Sequence, residues 1–515
     1  MRLYFGFNLQ THTLLCHEVA KKILATDPDS RFAGIMSVKD GVHEQWLKKQ
    51  TDVSYEQLDT TDEIEKQALT YTVPDGRIAE WERRFDRPLF DLIIADRDAG
   101  HRFVSGGRLI RTDMMAHDSH EKLQRFVCCF LDTYEDRLRR FKPDLVFIVC
   151  IAALPALALA RVCEWMGIPF VVLRSARIGN RFVLSLNDAT ERFYQIEEAF
   201  EQACAQGGPL PQLPEPFQRY LDSYRTDSPE APVWAATCNQ TIEKIKKTNL
   251  VRFYGELGLR FGLACKRKLF PPPERDLRWK HPFSTFSFQL RQKMAIRHFR
   301  PETFDEPRDG EPYIYFPLHL TPEASTMVLS PAFTDQNALI DLLAANIPLS
   351  HKLYVKEHPT MIGLRPPRFY ERVRRHVNVR LINPLADSMA LTRRSDMIAS
   401  ITGTVAWEAI LMERPVLMFG ESFFSHLGFC HRAGDPAELG RLIKEILFHG
   451  RKPARGANEL VRYLQCLYDG SFELPDGIQV LWGGLLKPGR TGERETLFAS
   501  VLAAQILDME NGLRK

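Results

Sequence analysis

The sequence predicts an α/β protein of two doubly wound parallel-sheet units joined by a helical segment. Strand and helix patterns alternate over the first 190 residues and again from about Glu311. The strands are near-continuous apolar runs, the signature of parallel sheets covered on both faces. At 515 residues, 44% apolar and 26% charged, the chain is long enough for two or three full cores and ordinary for a globular protein.

In chain order, "RLYFGFN" reads as a strand and "THTLLCHEVAKKILATD" carries helical apolar spacing. "RFAGIMS" reads as a second strand and "LFDLIIA", ending before Asp96, as a third. A helix from about Glu121 to Phe141, a strand "DLVFIVC", a helix through Trp165 and a strand "PFVVLRS" complete the first unit, residues 1–190. Residues 191–305 are mostly helical, broken at "GGPLPQLPEP" and "LFPPPERD". The second unit, 306–450, carries strands at "PYIYFPLHL", "HKLYVKEHP", "VRLIN", "DMIAS" and "RPVLMFG", with helices between them. Residues 451–515 read as a C-terminal helical segment with a Gly-bearing loop, "LWGGLLKPGRTGE". Two such units imply a bilobal enzyme with a cleft.

The net charge of +3 gives no whole-chain case for nucleic-acid binding. The ten cysteines include no CxxC pair, so they read as reduced core thiols, and a zinc site is disfavoured. "LVFIVCIAALPALALA" imitates a membrane span but is slightly short for one; its β-branched and aromatic first half and its Ala/Leu-rich second half read as a buried strand entering a buried helix. The N-terminal apolar run is too short for a signal peptide, which makes the expected location cytoplasmic, with any membrane contact peripheral. Val251 to Arg300 holds twelve Lys and Arg against three Asp and Glu, a local +9 interleaved with aromatics. Such a segment is either a solvated set of helices or a surface for anionic lipid headgroups or an anionic polymer; RNA fits less well, because no RNA-binding motif accompanies it.

Ligands of open parallel sheets bind outside the carboxyl ends of the strands, so the residues after each strand are the candidates. After "YIYFPLHL", Ser325 and Thr326 can cap a helix or hold a phosphate. Glu323, placed near the strand end by Pro322, is expected to resist the capping account and to touch substrate. After "KLYVK" come Glu357, His358 and Pro359. His358 can donate to a phosphate and Lys356 can neutralise it. After "DMIAS", Gly403 lets the backbone approach an anion, Ser400, Thr402 and Thr404 offer hydroxyls, and the following helix N-terminus favours a phosphate. Glu408, one turn into that helix, can take the hydroxyls of a ribose, or can be an ordinary salt-bridged helix residue. In the first unit the acceptor-facing candidates are Asn8, Thr11 and His12, then Asp96, Arg97, Asp98 and His101, then Arg174, Ser175 and Arg177. "ADRDAGHR" stands out because clustered Asp and His can supply a general base.

At these residues the sequence resembles the capsule polysaccharide biosynthesis family of bacterial glycosyltransferases. "KEHP" is similar to the His-Pro motif that this family shares with transferases using CMP-activated acidic sugars such as sialic acid and Kdo. "SITGTVAWEAILMERPVLMFG" resembles the family's Ser/Thr motif with its Glu-Ala helix and basic-Pro-Val strand, and "FPLHLTPEAST" is also similar. The resemblance runs from about Tyr313 to Ser425. It implies a GT-B fold and metal-independent transfer from a nucleotide sugar, without a cofactor, to a glycan or lipid-linked glycan acceptor. His358 with Ser400, Thr402 and Thr404 would hold the donor phosphate and Glu408 the ribose. Relatives often carry paired serines where this chain has Thr402-Gly403-Thr404, which leaves the base open, CMP favoured over UDP. In metal-independent transfer of this kind, Lys, His and helix dipoles would stabilise the leaving phosphate. A nucleotide-sugar epimerase of similar fold and a non-catalytic partner in a polysaccharide assembly complex are the alternative readings.

Overall fold

In the computed structural model, which describes residues 1–7, 10–36, 42–104, 119–226, 243, 247–270, 281–449, 458–482 and 492–514, the chain divides into two units. The first takes residues 1–95, 117–207 and 464–515, and the second takes 96–116 and 208–463. Strands β1 (Arg2–Phe7), β2 (Arg31–Met36), β3 (Tyr55–Thr60), β4 (Leu145–Ile148), β5 (Phe170–Ser175) and β6 (Arg181–Leu186) build the first sheet. Strands β7 (Tyr313–Pro317), β8 (Lys352–Lys356), β9 (Val379–Ile382), β10 (Met397–Ser400), β11 (Val416–Met418) and β12 (Cys430–Arg432) build the second, and β13 (Phe472–Glu473) returns to the first.

The first sheet has the order β13-β6-β5-β4-β1-β2-β3, with β1 to β5 parallel and β6 and β13 antiparallel. The second, β12-β11-β10-β7-β8-β9, is parallel throughout. Counted from its own first strand, the second sheet has the Rossmann order 3-2-1-4-5-6, and the parallel part of the first has 3-2-1-4-5. The strand order reverses between β1 and β4 in one unit and between β7 and β10 in the other. Two Rossmann-type units in one chain are the halves of a GT-B-like fold, as the sequence predicts.

Burial explains the strands. Residues 3–7 of β1 and all of β4 are buried, and the Phe5 ring packs with Phe7, Phe32 and Phe147. The apolar run after Leu145 divides as expected into β4 and the helix Leu154–Met166, with Pro155 in its first turn, where a missing N–H costs nothing. The C-terminal residues join the first unit, because helix Glu493–Arg514 buries Phe498, Leu502 and Ile506 in the same core as Leu15, Val19 and Ile23 of helix Gln10–Thr26.

Two expectations are corrected. "LFDLIIA" forms the helix Phe90–Ala95, not a strand. A short apolar run does not distinguish strand from helix by periodicity, and here Leu92, Ile93 and Ala95 are buried with Asp91 in the first turn. The third strand is instead β3, "YEQLDT", whose polar sequence suits an edge with one neighbour, β2. The cysteines are core thiols only in part: Cys16, Cys128, Cys129 and Cys163 are buried, while Cys150, Cys204, Cys265, Cys430 and Cys466 are partly exposed. Most of "LWGGLLKPGRTGE" lies outside the described residues. Among the described residues no helix is long and apolar enough to cross a membrane.

Candidate functional site at the carboxyl edge of the second sheet

Alternation along the strands decides which side chains meet. Ile314 and Phe316 of β7, Leu353 and Val355 of β8, and Met397 and Ala399 of β10 all enter one apolar core. The residues between them therefore face the other side. On that side Pro317 pairs in register with Lys356, and Ile398 with Tyr315, so Ser400 falls level with Pro317. Lys356, Pro317 and Ser400 thus form one row across three strands at their carboxyl ends. At the usual strand spacing the outer two are about 10 Å apart at Cα. The row flanks the reversal of strand order between β7 and β10.

Lys356 is 5% exposed. Among the described residues its ammonium makes no hydrogen bond or ion pair. Burial pulls its pKa down to about 8, against the attraction of Glu357 and Asp387. The neighbouring guanidinium is already committed, because Arg365 and Glu357, both fully buried, pair at 2.7 Å. Glu357 also accepts from the Tyr370 hydroxyl at 2.9 Å and from the His358 N–H at 2.6 Å.

His358 caps the short turn Pro359–Met361. Its Nδ1 accepts the Thr360 N–H at 3.3 Å and meets the Thr360 hydroxyl at 2.7 Å. Burial first, then Lys356 and Arg365, lower its pKa to about 4. The imidazole is therefore neutral near pH 7, and with Nδ1 accepting, its proton sits on Nε2.

The loop after β10 uses its own donors internally. Thr402 N–H donates to His319 Nε2 at 3.3 Å, Thr402 Oγ1 donates to the Ser325 carbonyl at 2.7 Å, and Gly403 N–H donates to Ser400 Oγ at 3.1 Å. A Cβ on Gly403 would lie 3.0 Å from His319 Nε2 and 3.3 Å from Ser400 Oγ. The close approach that this glycine permits is thus to the chain's own side chains. The helix Thr404–Leu411 has no side-chain cap at Gly403, and the Ala406 N–H turns back to the Gly403 carbonyl at 3.1 Å, so the Thr404 and Val405 N–H groups and the Thr404 hydroxyl remain the donors of this loop. Glu408, buried in that helix, lies near the phenol of Tyr315. That phenol is held protonated by burial first and by Glu408 and Asp387 besides, against a hydrogen bond from Ser388.

His319 is the residue that the sequence reading passed over. It stands two positions beyond β7, as His358 stands two beyond β8, and that shared offset was the signal available. Its N–H donates to Gln336 Oε1 at 2.8 Å, and its carbonyl accepts from Gln336 at 3.2 Å and from Arg365 at 2.7 Å. Burial, with His358 and Arg365 nearby, lowers its pKa to about 3 against the pull of the Pro317 carbonyl. His319 accepts the Thr402 N–H and so holds the loop.

Glu323 corrects an expectation. It is the cap of helix Ala324–Met327: its carboxylate accepts the Ser325 N–H at 2.8 Å and also the Ser325 hydroxyl. Pro322 does not prevent this, because the Glu323 backbone is extended, as a cap requires. Asp96 is fully buried and its Oδ1 accepts the N–H groups of Asp98 and Ala99, each at 3.0 Å, which closes the turn before Gly100–Phe103. His101 lies in that turn. The turn falls in the second unit rather than the first, with the Thr334 hydroxyl donating to the Phe103 carbonyl at 2.6 Å. In the first unit His12 is buried and its pKa is lowered to about 4. Arg174 donates to the Thr190 carbonyl at 2.6 Å, and Arg177 pairs with Glu191 at 2.9 Å. Asn8 lies outside the described residues, as does the side chain of Thr11.

The fold and this edge define the class, an α/β protein of two Rossmann-type units. Within the second unit, residues 290–437 match the family model described as capsule polysaccharide biosynthesis protein. The resemblance read between Tyr313 and Ser425 is borne out there, and the matched residues include His319, Lys356, His358 and the loop from Ser400 to Glu408. No curated protein matches the chain. Among solved structures, the chain is similar to UDP-GlcNAc 2-epimerase from Neisseria meningitidis bound to UDP-GlcNAc, at 11% identity over 99% of this chain and 100% of that one, TM-score 0.23. It is similar also to a β-Kdo 2,7 transferase, KpsC of Thermosulfurimonas dismutans, at 11% identity over 72% and 89%, TM-score 0.29. A third is Anabaena Alr3699/HepE in complex with UDP and glucose, at 11% identity over 99% and 100%, TM-score 0.25. Superpositions at these scores establish no fold by themselves; the fold assignment stands on the chain's own sheets.

Proposed function

We propose that this protein is a glycosyltransferase of surface-polysaccharide assembly that binds a nucleotide-activated sugar at the carboxyl edge of its second sheet and needs no metal or other cofactor. The observation that carries the reading is Lys356, a buried ammonium without an ion pair among the described residues, in one row with Ser400 where the strand order reverses. A buried cation in such a place is completed by an anion. A donor phosphate lying there would meet Lys356, the Nε2–H of His358, the Thr404 hydroxyl and the first-turn N–H groups of its helix, with Glu408 on the ribose. Ser400, Thr402 and Gly403 shape this loop. A CMP-sugar is the favoured donor and a UDP-sugar the second. The acceptor is a glycan or lipid-linked glycan, and the general base comes from Asp96, Asp98 or His101. The compartment is the cytoplasm.

The test is His358→Ala in a transfer assay with the donor that most raises the melting temperature of the wild type. Transfer is lost and the melting temperature without ligand is little changed. Undiminished turnover by the variant refutes the reading. Donor incubated alone separates the epimerase alternative, since an epimerase isomerises it without acceptor. If no CMP- or UDP-sugar binds, the non-catalytic alternative takes its place.

A further inference from the structure

The helix Leu250–Leu269 is amphipathic in an unusual sense. Its inner side buries Phe253, Leu257 and Ala264, and it is tied to helix Pro282–Arg297 by Arg260 to Gln289 at 2.7 Å, Lys293 to Glu256 at 2.6 Å and Phe261 against Phe286. At 100° per residue the outer side spans an arc of about 120°. On this arc stand Val251, Leu259, Leu263 and Leu269, which are 82%, 67%, 50% and 73% exposed. A solvent-facing helix side is ordinarily polar; this one is apolar along its length. The charges among its exposed residues are cationic: Arg252 near the start and Lys266 near the end stand on this arc, Arg267 borders it, and Lys268 leaves the helix end on the opposite side. The carboxylate of Glu256 lies on the flank and is neutralised by Lys293 and Arg252. Phe270, 75% exposed, follows the last turn.

From this we infer that the outer face of Leu250–Leu269 is a docking surface for an anionic lipid bilayer, lying in the headgroup plane. Apolar side chains would enter the acyl boundary while the cations at both ends meet headgroup phosphates. Charge complementarity selects this occupant. A second copy of the chain docking on the same face would set Arg252, Lys266 and Arg267 against their own kind, which costs affinity. At 20 residues the helix is long enough to cross a bilayer but not apolar enough, so the contact lies on the surface. The inference is independent of the donor reading, because it predicts binding to lipid without any nucleotide.

The experiment is flotation of the full chain with phosphatidylcholine vesicles, with and without phosphatidylglycerol, at low and high salt. The wild type floats with anionic vesicles, is released by salt and ignores neutral ones. The double change Lys266→Glu, Arg267→Glu lowers partitioning by about thirtyfold or more, at roughly fivefold per charge removed. Leu259→Glu loses flotation even at low salt, which charge attraction alone would not produce. Both variants alter exposed side chains, and an unchanged circular dichroism spectrum and melting temperature verify their fold. No flotation of the wild type, or equal flotation of wild type and Leu259→Glu, overturns the inference. So does concentration-dependent self-association in the absence of lipid that Leu259→Glu abolishes, which would assign the face to a second copy.

Discussion

Lys356 offers the sharpest test, because function and stability pull on it in opposite directions. Its pKa, about 8 in place of 10.5, means that the folded chain resists carrying this charge. A difference of about 2.5 units corresponds to about 3 kcal/mol below pH 8. Between pH 8 and 10.5 the unfolded chain binds more protons than the folded one, so stability rises with pH through that window, and below it the full penalty is present. Lys356→Met keeps the length of the side chain and removes the charge. Without ligand the variant is expected to be more stable than the wild type at pH 7.5, by up to about 3 kcal/mol, and to lack the gain between pH 8 and 10.5. Its affinity for nucleotide sugar falls by about a hundredfold or more, the size expected for losing a charge-assisted hydrogen bond to phosphate. Urea unfolding at the two pH values and calorimetric titration with CMP- and UDP-sugars measure both. A variant that is less stable at pH 7.5 and binds donor as well as the wild type refutes the argument.

Two further outcomes follow from the same network. Arg365→Met leaves the fully buried Glu357 without its 2.7 Å partner and costs about 3–5 kcal/mol in urea unfolding, whereas adding Glu357→Leu recovers much of it, because the pair is dear to break and cheap to remove whole. His12, His319 and His358, with pKa values of about 4, 3 and 4, are neutral in the fold and take up protons on unfolding below about pH 6.5. Each therefore withdraws about 1.4 kcal/mol per pH unit as pH falls from 6.5 towards 4. His319→Gln should flatten that slope by about one group in acid unfolding monitored by circular dichroism, and an unchanged slope would show that His319 titrates normally.

Five of the six strands of the second sheet were legible because each is a short apolar run bounded by Pro, Gly or charge, and each following residue set is a candidate by topology alone; β12, "CHR", carries no such run. "LFDLIIA" failed for the complementary reason. Six or seven apolar residues fit a buried strand or a buried helix equally, and the edge strand "YEQLDT" carries no apolar run to compete with it. The site was legible as positions but not as bonds. Lys356, His358 and Thr404 were read as donors and have donors to offer. Thr402 and Gly403 were read the same way, yet their N–H groups go to His319 and Ser400. Nothing in a linear string shows that a histidine more than eighty residues upstream lies within hydrogen-bonding distance of that loop; adjacency of β7 and β10 across the reversal of strand order brings it there.

These internal bonds bear on the donor. With Thr402 and Gly403 spent on bracing and Arg365 spent on Glu357, the groups left for an anion are one buried cation, a neutral imidazole N–H, a hydroxyl and the uncapped start of one helix. That set carries about one positive charge, plus roughly half a charge from the helix terminus. A donor joined through a single phosphate brings one negative charge at that phosphate, and a second from the carboxylate when its sugar is an acid such as sialic acid or Kdo. A diphosphate brings two, and the second must stay solvated or be met by groups from elsewhere. Charge at this edge therefore does not separate acidic CMP-sugars from UDP-sugars, which both bring two. It also sets the direction of the salt and pH response. Deprotonating Lys356 above pH 8 removes the one full charge, so donor affinity should fall across the same interval in which the ligand-free protein becomes more stable. Opposite slopes of affinity and stability between pH 8 and 10.5 would tie both to this single ammonium; parallel slopes would separate the donor from Lys356.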